Sequence, residues 1–165
     1  MFTVQVKQAF LQQLLWLIQL AISQIGRGAD CKYRFIEKPI RVAPVAGNFL
    51  SIYATSGGKI LLSTLQDQAI RDLLGPELQQ FTPKTPTLPQ LLEQLEQVRA
   101  DGFAYDFDEH TIGVGAIAVG LQTPQGRYAI DVVGPVWRIE QSLDSVKAAL
   151  LKCQQDLING LRSIG

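Results

Sequence analysis

Two apolar runs, roughly Gly113 to Leu121 and Arg127 to Gly134, are separated by little more than Thr123-Pro124-Gln125-Gly126. A proline and a glycine in so short a connection suit a tight turn, so the two runs are expected as antiparallel strands of one sheet. Successive strand residues point to opposite faces, which puts Tyr128, Ile130 and Val132 on one side and Ala129, Asp131 and Val133 on the other. Asp131 is thus a carboxylate inside an apolar strand. It faces either a ligand pocket or solvent on an open sheet face, and the pattern alone leaves both open.

Other segments place helices around that sheet. Thr87 reads as an N-cap and Pro89 falls in the first turn, where its missing N–H is harmless. Leu91, Leu92, Leu95 and Val98 then form one apolar face that ends at Gly102. From Ser142, a final helix carries Leu143, Val146, Leu150, Cys153, Leu157 and Leu161 at spacings of three and four. Near the start, Val6, Phe10, Leu11 and Leu14 have helical spacing, while Trp16 to Ile22 fits helix or strand. The turn Gly26-Arg27-Gly28-Ala29-Asp30 leads into Lys32 to Lys38, which predicts a hairpin with a strand on each side. With no repeat or linker, the chain reads as one α/β (α+β) domain, an antiparallel sheet flanked by helices.

The 165 residues suffice for a single core, and 47% hydrophobic with 18% charged residues excludes disorder as the overall state. Fifteen basic residues balance fifteen acidic ones, so no overall positive field draws this chain onto phosphate. Gln12, Gln13 and Gln19 interrupt the run Phe10 to Ser23, short of the roughly 20 apolar residues of a membrane span, and no signal-peptide pattern frames it. Cys31 and Cys153 form neither a metal pattern nor a disulfide framework. The expectation is free thiols, a cytoplasmic location and no membrane.

Three segments resemble the effector-binding domain of the IclR family of bacterial transcription regulators. SIYATSGGKILL at 51–62 is similar to the small-residue helix start of that domain. GFAYDFDEHTIGVGAIAV at 102–119 resembles its acidic cluster and following strand, and YAIDVVGPVWRI at 128–139 its last strand with a Gly-Pro exit. The resemblance runs from about Ile18 onward. It implies a GAF/profilin-like domain that spans 1–165, binds a small-molecule effector without cofactor or catalysis, and assembles as a homodimer or homotetramer. It also implies transcriptional control exerted on DNA only through an N-terminal winged-helix domain. That domain needs on the order of 60 residues and several basic groups. Residues 1–26 hold one charge, Lys7, so the winged helix is expected to be absent here. A stand-alone GAF-like signalling module is the alternative.

Matched position by position, the resemblance puts effector contacts at Ser56, Gly57, Asp106, Ala116, Asp131 and Val133. Backbone N–H groups at the start of a helix suit a polar ligand, while the plainer reading of the glycines is a close helix-to-sheet approach. Gly115-Ala116 replaces an Arg-Cys common in the family, and Asp131 and Val133 replace serines. If Asp106 and Asp131 both line the pocket, they repel simple organic acids and favour a hydroxyl-rich or amine-bearing metabolite. His110, beside three acids in DFDEH, reads as solvated in an exposed acidic loop rather than as a metal ligand. Tyr53 and Lys59 read as a rim aromatic and a surface lysine, not a catalytic pair. No nucleophile, base and orienting group can be assembled.

Overall fold

The computed structural model describes residues 19–24, 32–34, 42, 50–124 and 126–162, so the helix expected near residues 4–14 lies outside the described residues. Five strands form one antiparallel sheet in the order β2-β1-β5-β4-β3. They are β1 (Gln19–Gln24), β2 (Lys32–Arg34), β3 (Phe103–Phe107), β4 (Val114–Thr123) and β5 (Gly126–Pro135). The expected hairpin is β1 against β2, with Ala21 opposite Tyr33. The run that fits helix or strand resolves as strand from Gln19. β1 also pairs with β5, so the first described strand lies beside the last.

The meander β3-β4-β5 has a strict division of faces. Ile117, Val119, Leu121, Ile130 and Val132 are large and buried, and they pack on Ile139, Val146 and Leu150. Those partners belong to α4 (Val136–Gln141) and α5 (Leu143–Arg162), so the terminal helical region starts directly after Pro135 rather than at Ser142. The opposite face is paved with Ala104, Ala118 and Ala129 under Ile60, Leu61 and Val98. Small residues on the strands let a helix lie close. A methyl at Gly120 would stand 3.4 Å from Ile60 Cγ2.

Ile60 and Leu61 lie on α1 (Ser56–Leu62), in which every residue is buried. Two further helices, α2 (Asp67–Leu74) and α3 (Leu88–Asp101), close a third cluster made of Leu62, Ile70, Leu88, Leu91, Leu92 and Leu95. α3 keeps the expected bounds. Gln90 Oε1 accepts from both the N–H and the hydroxyl of Thr87, and Gly102 takes the left-handed conformation at φ 76° that glycine adopts without strain.

Candidate functional site

Register alone brings four of the expected residues together. Asp106 pairs with Ala116, and Ala116 with Val133, so these form one row across β3, β4 and β5. Asp131 pairs with Ala118 in the next row on the same face. The two aspartates therefore flank a floor of two alanines from opposite sides, their Cα positions roughly 12 Å apart across two strand spacings and one row. α1 covers this face. Its Ile60 packs toward Gly120, Ala118 and Ala129, so its first residues, Ser56 and Gly57, are directed toward the end of the face that holds Ala116 and Val133.

Buried polar atoms accumulate here. Ser56 is fully buried, and its Oγ has no hydrogen-bond partner among the described residues. Asp131 Oδ1 is likewise buried without one. Burial, with the charge of Asp106 adding to it, holds the Asp131 carboxyl up at about 7, its own backbone N–H offsetting only part. As a residue Asp131 is half-buried, with its Oδ1 out of reach of solvent, so it is not a fully solvated face residue. Asp106 is 3% exposed, and its Oδ1 accepts from Glu109 N at 2.9 Å and His110 N at 3.4 Å. Burial is again the larger effect and keeps this carboxyl at about 6.

Lys59 corrects the expectation of a surface lysine. It is 1% exposed, and its Nζ donates to Glu109 Oε2 and, at 2.8 Å, to the Tyr105 carbonyl. Burial lowers its pKa despite Glu109, and burial raises that of Glu109 despite Lys59. Gln94 Nε2 adds a 3.3 Å bond to Glu109 Oε1. The clue was present in SGGKILL: a helix this apolar on all sides is buried, and a lysine inside it requires a partner.

The acidic turn is likewise not the exposed loop expected. Thr82 Oγ1 donates to Asp108 O and Thr85 Oγ1 to Glu109 O, both at 2.6 Å, and Lys84 Nζ reaches Asp108 Oδ2 at 2.8 Å. Asp108 holds φ 63° while its Oδ1 accepts from Gly113 N at 2.6 Å. His110 is half-buried and stacked on Phe81 at 4.9 Å, and Phe81 is 6.0 Å from Tyr53, so Tyr53, Phe81 and His110 make an aromatic row beside Asp106. Burial lowers the His110 pKa. At Gly58 the close approach is to the loop before α1 rather than to the sheet. A methyl on Gly58 would fall 2.1 Å from the Ile52 carbonyl oxygen, so Gly58 exists for close approach.

At the other end of the sheet an open groove of about 790 Å³ runs past Gly120, Gln122, Arg127, Tyr128 and Gln154. None of the six expected site residues lines it.

An antiparallel sheet helix-covered on both faces, with uncompensated polar groups under one of them, defines a ligand-binding module rather than a scaffold. A solved structure similar to this one is the inducer-binding domain of the transcription factor PobR from Acinetobacter, a double mutant in complex with 3-hydroxybenzoic acid. It superposes with a TM-score of 0.78 over 95% of this chain and 98% of that one, at 28% identity. The family model for the bacterial transcriptional regulator IclR C-terminal domain matches residues 34–159. The chain belongs to the IclR family, as its C-terminal effector-binding domain.

Two curated relatives agree. The HTH-type transcriptional regulator TtgV of Pseudomonas putida is 37% identical over 129 residues, 78% of this chain and 49% of that protein. The HTH-type transcriptional repressor AllR of Escherichia coli is 35% identical over 106 residues, 62% of this chain and 39% of that protein. The chain thus spans half or less of the length of these relatives. Among the described residues, no helix is long and apolar enough to cross a membrane.

Proposed function

We propose that this domain senses a small metabolite held between the start of α1 and the alanine-floored face of β3, β4 and β5, and that occupancy controls DNA binding by a winged-helix domain that is not part of residues 1–165. The observation that carries the reading is the convergence of Asp106, Ala116, Asp131 and Val133 on one sheet face under the α1 that begins at Ser56. The HTH designation of TtgV and AllR supports transcriptional output, and the PobR domain with 3-hydroxybenzoic acid supports a small organic effector. The role is non-enzymatic: Lys59 and Glu109 hold each other, Asp106 is held by backbone N–H groups, and among the described residues no nucleophile is placed against a base. Residues 1–165 act as one sensing domain, in the cytoplasm, within a homodimer or homotetramer. A ligand then changes output by binding one assembly state better than another.

The test is calorimetric titration of the purified chain with metabolites that raise its melting temperature. Ala116→Leu fills the floor between the carboxylates and is expected to abolish binding at an overpacking cost of about 1–3 kcal/mol. Arg127→Ala is expected to leave binding unchanged. The reverse result moves the ligand to the groove at the β4–β5 turn.

A further inference from the structure

We propose that the effector of this site is a protonated amine, a small organic cation with N–H donors, and not a carboxylate; this rests on the reading of the alanine-floored face as the effector site. The argument is a census of donors and acceptors. Among the described residues, the buried side-chain atoms without a partner are the Oγ of Ser51 and Ser56, Oε1 of Gln94 and Oδ1 of Asp131, and the buried carboxylate of Asp106 lies across Ala116 and Ala118 from Asp131. The amide and carboxylate oxygens only accept, and the hydroxyls accept as well as donate.

Five cations among the described residues are committed elsewhere. Lys59 is bound to Glu109 and the Tyr105 carbonyl, and Lys84 to Asp108. Arg99 serves Ser63 O, Leu65 O and Asp67. Lys147 lies over Phe103 and Tyr105 on the far side of the sheet, and Arg127 lines the groove at its other end. β1, the other neighbour of β5, contributes no charged residue in Gln19–Gln24.

With Lys59 balancing Glu109, the Asp106 carboxylate, joined by Asp131 whenever it is ionised, leaves this face with surplus negative charge among the described residues. An incoming carboxylate meets repulsion from the ionised carboxylates and gains none of these five cations in return. An ammonium group has three donors and no acceptor, which matches what the site lacks. A carboxylate buried without a partner costs stability in the empty domain, and that cost is recovered when a donor arrives.

The test uses compounds matched by carbon skeleton, each as amine, alcohol and acid: phenethylamine, phenethyl alcohol and phenylacetate, then putrescine, butanediol and succinate, extended to a wider panel of the same design. Melting temperature and titration calorimetry are measured at neutral pH on wild type, Asp131→Asn and Ser56→Ala, with circular dichroism as the check of folding. The expected result is that amines bind about tenfold or more tightly than the acids of the same skeleton, and that Asp131→Asn removes that preference in a folded protein. Acids that bind as well as amines, or an amine preference that survives Asp131→Asn, overturn the proposal. Binding by alcohols or acids alone overturns it and leaves the effector site standing. Silence across the whole panel overturns both.

Discussion

Lys59 and Glu109 are a buried ion pair tying α1 to the turn after β3. Such a pair adds little net stability over apolar residues of the same shape, but removing one member strands the other. Lys59→Met is therefore expected to destabilise the domain by about 3–5 kcal/mol, and the double variant Lys59→Met/Glu109→Gln to recover most of it, both read from urea denaturation. Asp131 makes a prediction about pH. Its carboxyl is held at about 7 against an ordinary 3.8. As pH rises from the lower value the unfolded chain releases this proton while the folded one keeps it. Stability therefore falls across that window, by at most about 1.4 kcal/mol per pH unit, and levels off above it. Asp131→Asn removes this slope, so its stability relative to wild type should improve from acid toward neutral pH. The slope from Asp106, held at about 6, remains. Asp131 was legible because strand alternation fixes a face from sequence alone. Lys59 was misread because a lone lysine was weighed without the burial of the helix around it.

Helices with long apolar stripes and explicit caps were the easiest elements to read. α3 kept its Thr87 start and Gly102 stop because both ends are written in side-chain and glycine chemistry. α2 escaped notice, since Asp67–Leu74 buries only Ile70 and eight residues give periodicity too little to act on. β3 escaped for a related reason: Phe103–Phe107 places aromatics toward α5, but on its other side it carries only an alanine and an aspartate. The site depended on register between that unread strand and β4, so the residues could be named from resemblance but their common face could not. Glycine substitutions separate the elements experimentally. Gly58→Ala drives a methyl into the Ile52 backbone and should cost a few kcal/mol, or detach α1 from the preceding loop. Gly160→Ala, in open space within α5, should be neutral or stabilise by about 0.5–1 kcal/mol. Thermal melts of the two variants check the contrast.

For the whole molecule, effector binding and folding are linked: a ligand present at about 100 times its Kd should add about 2.7 kcal/mol to the unfolding free energy. A Tm that does not rise with concentration of a compound that binds by calorimetry would show binding without preference for the native state. The described sheet ends at β3, an edge strand with Phe103, Tyr105 and Phe107 on one side. An edge of that composition is an open template for another strand. Lysines stand on both of its faces: Lys147 Nζ lies 5.4 and 5.2 Å from the Phe103 and Tyr105 rings, and Lys59 Nζ holds the Tyr105 carbonyl. A second sheet approaching this edge would have to strip water from one charge and displace the other. Growth of the sheet from copy to copy is therefore opposed at this edge.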